Sequence, residues 1–118
     1  MIHARNIIKF SNMKSVYYIQ YEVRPAPANN AFATVGGAYV NCLLAADSEA
    51  QALNAAQRSF NENLWEVVGI EEGPNNVARS VYIDDAEWLS YFDEALASGE
   101  CYVFNQWPPE PQEEDVVH

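Results

Sequence analysis

Basic residues are scarce in this chain, and histidine is missing from its body. Six Lys and Arg stand against seventeen Asp and Glu, a formal net charge of −11. A surface this acidic is repelled by phosphate backbones and by anionic lipid, which argues against direct binding to nucleic acid or membrane. The two histidines are His3 and His118, near the ends. Imidazole general-base catalysis and imidazole metal ligation are therefore not expected in the folded body. Cys42 and Cys101 are the only cysteines and no CxxC spacing occurs, so neither a zinc nor a redox motif is present. Both fall in predicted strands and read as small core hydrophobes; whether they lie close together is open at this level. Phosphate-binding GxxxxGK[ST] and GxGxxG loops and the GxSxG nucleophile elbow are also missing. The apolar runs are far shorter than a membrane span, and no signal-peptide core with a small-residue cleavage site begins the chain. These absences make the cytoplasm the expected location, with no cofactor and no metal.

What is present is a body that is 49% hydrophobic within 118 residues, enough to bury a core as one domain. That domain is expected over residues 13–109. Residues 1–12 lack periodicity and read as a flexible extension, with Met13, just before the first strand, as an alternative start. Residues 110–118 are acidic and Pro-rich and read as a disordered tail.

Periodicity supplies the elements. Tyr17, Ile19, Tyr21 and Val23 alternate with Tyr18, Gln20, Glu22 and Arg24, the period-two pattern of a half-buried antiparallel strand. Pro25 and Pro27 stop it, and a long loop to Gly37 follows. Ala38–Ala45 is a strand. Ser48 and Gln51 fit a capping box for a helix whose apolar stripe is Leu53, Ala56, Phe60 and Leu64. Trp65–Glu71 returns to strand, so this strand–helix–strand unit predicts a crossover between parallel strands of one sheet. Gly73-Pro74-Asn75-Asn76 is a dense turn signal, followed by a predicted fourth strand, Val77–Ile83, as hairpin partner of the third. Asp84 is placed to cap a second helix with Glu87 at its third position, and Gly99 to end it. Phe60 and Phe92 sit centrally on the two apolar stripes. Cys101–Trp107 is the last strand.

The resulting order, β-β-α-β-β-α-β, predicts an α+β fold. From Ala38 onward it looks like a ferredoxin-like two-layer sandwich, with two helices on one face of a mainly antiparallel sheet. The likeness is one of element order and brings no activity with it. The place of the first strand in that sheet is not fixed by it.

Two features could carry function. The carboxylate groups Glu71-Glu72 and Asp84-Asp85 with Glu87 read as solvated charges and a helix cap rather than an acid–base pair or a Ca²⁺ loop. The aromatics are more informative. Tyr18, Tyr39, Tyr102, Phe104 and Trp107 all fall on predicted strands. Tyr102 and Phe104 share one face of the last strand and Val103 and Trp107 the other, so rings point both ways. The set carrying Tyr102 and Phe104 is expected on the side away from the helices. Base stacking is disfavoured by the charge, which leaves an interface with a protein or a second copy of the chain. The first reading is therefore a non-enzymatic, acidic interaction module. A narrower version is an inhibitor or immunity-type protein that binds a basic partner. The second reading is a small apolar-ligand or sensory domain, with its pocket between the sheet and the Pro25–Gly37 loop.

Overall fold

A computed structural model describes residues 14–111. The expected extension, residues 1–12, and the tail beyond Pro111 lie outside the described residues. The elements are β1 (Ser15–Pro25), β2 (Gly37–Ala46), α1 (Glu49–Glu62), β3 (Trp65–Val77), a 3₁₀ turn (Arg79–Tyr82), α2 (Ala86–Ser98) and β4 (Glu100–Trp107). The fold is α+β: a four-stranded antiparallel sheet with two helices, in the order β3-β1-β2-β4.

β1 lies inside the sheet, paired along its length with β2 on one side and β3 on the other. Since β2 and β3 are both antiparallel to β1, they run parallel to each other, as the strand–helix–strand pattern predicts. They are not neighbours, however, because β1 occupies the place between them.

Successive side chains of a strand point to opposite faces, and the two hydrophobic clusters follow that alternation. Tyr17, Ile19, Tyr21 and Val23 of β1 pack with Val40, Cys42 and Leu44 of β2 against Ala52, Ala56 and Phe60 of α1. Val16 of β1 and Leu43 of β2 pack with Phe92 and Ala95 of α2, flanked by Tyr18, Ala45 and Cys101. The helices therefore lie on opposite faces of the sheet. This corrects the expectation of both on one face, and the ferredoxin-like strand order is not found. Odd and even residues of β1 are both apolar near Ser15, so each face of that end needs a cover.

The predicted fourth strand is absent among the described residues. β3 runs on through the turn signal as far as Val77, pairing Asn75 with Tyr18, Asn76 with Tyr17 and Val77 with Val16. Gly73 and Pro74 are absorbed as an irregularity in the ladder instead of turning the chain. The peptide between them is cis, and Gly73 has φ 84°, a region that glycine enters without a side-chain penalty. A Cβ on Gly73 would also collide with the Tyr18 carbonyl oxygen. Residues 79–82 then form the 3₁₀ turn where strand was expected.

Local capping explains the helix ends. Ser48 Oγ accepts from the Gln51 N–H at 3.2 Å, while Gln51 Oε1 accepts from the Asp47 N–H at 3.1 Å. The predicted box is thus present, with its return bond one residue earlier than the usual pattern. α2 is capped by Asp85 through the Trp88 N–H at 3.1 Å, not by Asp84. Gly99, with φ 98°, ends α2 in the left-handed conformation its sequence position predicts.

Phe60 is the centre of the larger core, 2% exposed, with its ring 5.1 Å from Tyr21 and 5.7 Å from Tyr102. Phe60→Ala is expected to lower the unfolding free energy by about 3–5 kcal/mol, and Phe92→Ala by a similar amount. Leu96→Ala, on the half-exposed side of α2, should change it by roughly 0.5 kcal/mol or less. Urea unfolding of the three variants checks this; a loss under about 1 kcal/mol at Phe60 would contradict the packing.

Candidate interaction surface

α2 crosses the second face of the sheet only at the Ser15 end of β1. Towards the Pro25 end the same face presents Gln20, Glu22 and Arg24 of β1, Tyr39 and Asn41 of β2, and Val103, Asn105 and Trp107 of β4. All of them are half-buried or exposed. No element of the described chain covers them.

Cross-strand pairing places the rings here. Gly37 is directly opposite Trp107, and the indole lies over the glycine so closely that an added Cβ would meet Cζ2 at 2.5 Å. A residue with a side chain would push the indole off the sheet. Tyr39, two residues along β2 and so on the same face, has its ring 4.9 Å from that of Trp107 and is 41% exposed.

The Pro25–Gly37 segment borders this corner. It is not an unstructured loop but a run of turns, with the Phe32 N–H bonded to Asn29 O and the Val35 N–H to Ala31 O, both at 2.9 Å. Asn29 Oδ1 accepts from the Ala31 N–H at 2.8 Å, and Asn29 Nδ2 donates to Leu64 O at 2.9 Å, which ties the segment to the start of β3. Phe32 is held outward, 52% exposed. Between this segment and the sheet is a cleft of about 420 Å³, lined among others by Arg24, Phe32, Val35, Trp107, Pro109 and Glu110. Arg24 Nε donates to Glu66 Oε1 at 2.9 Å across the strands.

Of the five aromatics singled out from sequence, Tyr39 and Trp107 meet here. Tyr18 is on the same face but beneath α2: its hydroxyl donates to Asn41 Oδ1 at 2.7 Å, and its ring stands edge-on to Trp88 at 6.0 Å. Tyr102 and Phe104 are on the opposite face, beside α1, where both rings contact Phe60 and Phe104 also contacts Trp65 at 5.1 Å. They were expected on the side away from the helices. Instead the helix nearest to them in space is the one that crosses from β2 to β3 on their side. Phe32 and Arg24 were not singled out by sequence. An apolar ring in a polar, turn-rich segment was the only available signal for Phe32.

A second, smaller cleft of about 300 Å³ opens at the start of α2, between Tyr18, Val81, Tyr82, Asp85 and Trp88. Tyr82 stacks on Trp88 at 5.5 Å with an interplanar angle of 21°.

Among the described residues the shifted groups are mainly thiols and tyrosines. Burial pushes the Cys42 thiol well above its ordinary range, with Cys101 and Glu100 adding to the shift, which disfavours the thiolate form at neutral pH. Cys101 is shifted the same way by burial and then Glu94. Both thiols are free. No group of three or more His, Cys, Asp or Glu that could hold a metal occurs among the described residues.

Several tyrosines are shifted upward. Burial pushes Tyr21 up to about 12, and burial is also the first cause at Tyr18, Tyr82 and Tyr102. Below pH 10 these rings are neutral in both folded and unfolded chains, and this source of stability is fully present. Above 10 the unfolded chain releases protons that the folded chain retains, so stability falls as pH rises; for the buried Tyr21 the fall runs from 10 towards 12, by up to about 1.4 kcal/mol per pH unit. Urea midpoints at pH 9, 10 and 11, read with tyrosinate absorbance, check this. Ionisation of all seven tyrosines around pH 10 without loss of stability would contradict it.

In comparisons with known proteins, no family model, no curated protein and no solved structure matches the chain.

Proposed function

We propose that this chain is a non-enzymatic protein-interaction module, acting in the cytoplasm, and that it binds a basic protein through the uncovered half of its second sheet face. The observation that carries the reading is the pairing of Tyr39 with Trp107 on a sheet half that no helix covers. Tyr and Trp supply large contact area at low entropic cost and are enriched where interfaces are strongest. The net charge of −11 favours a basic partner and speeds its encounter. The narrower version, an inhibitor whose carboxylates take the place of a phosphate backbone, draws its support from that charge alone. Self-association through the same face is the homomeric form of this reading.

A small apolar ligand is the second reading. The cleft of about 420 Å³ beside Trp107 and Phe32 favours it, since pockets of this size and lining suit small molecules. A neutral dye such as Nile red would then bind saturably and quench Trp107, and Phe32→Arg would abolish the quenching.

A photocrosslinking residue in place of Tyr39 should capture one basic protein in host cells, whereas the same residue at Ala50, exposed on α1, should not. Phe32→Arg should reduce capture at least fivefold with unchanged circular dichroism, and added salt should weaken it. Equal capture from both positions, or an acidic captured protein, would refute the reading. Capture of a second copy of the chain would point to the homomeric form.

A further inference from the structure

We propose that the cleft at the start of α2 receives the guanidinium of an arginine presented by a basic protein. The inference rests on the reading of a basic protein partner and adds the group that is recognised and its place.

Three observations combine. The first is ring geometry. Tyr82 and Trp88 are nearly parallel and stacked, and Tyr18 stands edge-on to Trp88. Their cleft is open, with a volume of about 300 Å³. A planar cation is attracted to the electron-rich face of such rings, and arginine stacks on them better than lysine because its charge is spread over a plane.

The second is carboxylate charge: Asp85 lines the cleft, and Glu72 stands near it on β3. Asp85 uses Oδ1 to cap α2 at the Trp88 N–H, and no hydrogen bond engages its Oδ2 among the described residues. Glu72 lies opposite Gln20 in the ladder, on the face that also carries Tyr18. Its charge reaches both hydroxyls: after burial, it is the next cause holding the Tyr18 and Tyr82 protons more tightly.

The third is the absence of a neutralising cation within the described residues. Arg79 is the nearest in sequence, in the same 3₁₀ turn as Tyr82, but it is committed to Asp93 through two bonds of 2.9 and 3.0 Å. Glu72 and Asp85 enter neither of the ion pairs found, Arg24–Glu66 and Arg79–Asp93. The cleft therefore offers a flat aromatic wall with one carboxylate in its lining and a second nearby, neither of them ion-paired among the described residues. That complementarity selects a cation, and the stacked wall selects a planar one.

The probes are three capped tripeptides, acetyl-Gly-Xaa-Gly-amide, with arginine, lysine or the neutral isostere citrulline in the middle. Titrations of the full chain are followed by the NMR shift of the Trp88 indole N–H. The arginine peptide should give a saturable shift, the lysine peptide should bind at least threefold more weakly, and citrulline should give none. Asp85→Ser keeps a good helix cap while removing the charge, and Glu72→Gln is an exposed, isosteric change. Each should weaken arginine binding about threefold, and the two together about tenfold, with unchanged circular dichroism. Equal shifts for arginine and citrulline, or arginine binding untouched in the double variant, would overturn the proposal. If Trp88 shows no arginine-dependent shift while crosslinking at position 39 persists, this inference alone fails. If position 39 captures nothing while the arginine peptide binds as described, the cleft stands and the sheet-face reading falls.

Discussion

β1 is bonded on both edges, and most of the architecture follows from that constraint. An eleven-residue strand with neighbours on both sides has each backbone edge engaged and must have its side chains covered wherever they are apolar. Its odd residues from Tyr17 to Val23 are apolar and are covered by α1. Its even residues are apolar only at Val16 and Tyr18, and there α2 covers them. Beyond Tyr18 the even positions become Gln20, Glu22 and Arg24, and a second helix would bury polar groups without partners. The cover stops where the polarity begins.

The same strand explains β3. To satisfy the far edge of β1 along its length, β3 extends over thirteen residues and crosses three irregularities in register. Gly73 makes one of these possible because only a residue without Cβ can approach the Tyr18 carbonyl so closely. The turn-forming residues are consumed in matching one strand to another rather than in reversing the chain.

Aromatic rings connect these layers to the functional proposals. On the first face, Phe60 gathers Tyr21, Tyr102 and Phe104 around the end of α1, and edge-on contacts of this kind add to the stabilisation from burial. On the second face, Tyr18, Trp88, Tyr82 and Phe92 form a chain of rings from the sheet to the 3₁₀ turn. Tyr39 and Trp107 are left over at the uncovered end. Two of the few arginines are spent on Glu66 and Asp93, and among the described residues no other carboxylate enters an ion pair. Acidic residues lie on both sides of the sheet, Glu49 and Glu62 on α1 and Glu87 and Glu94 on α2, whereas the open Tyr39–Trp107 pair marks the second face, where both functional proposals place binding.

Local rules written in short spans of sequence were legible. The alternation of β1, the cap at Ser48, the stripe containing Phe60 and the end of α2 at Gly99 each depend on a few neighbouring residues. So does the α+β class with its two helices. The side of the sheet taken by each helix was not legible, because an apolar stripe says that a face is buried and not which neighbour buries it. That choice placed Tyr102 and Phe104 against α1 and left Tyr39 and Trp107 open, although all four rings look alike in sequence. Likewise Gly73-Pro74 carries a turn's chemistry, and only pairing with β1 across more than fifty residues of chain turned it into an irregularity in a strand. The cleft of Tyr18, Tyr82, Trp88 and Asp85 joins a strand, a 3₁₀ turn and a helix. Its existence was decided by tertiary packing, because distances between such elements are set by which faces meet and not by any local pattern.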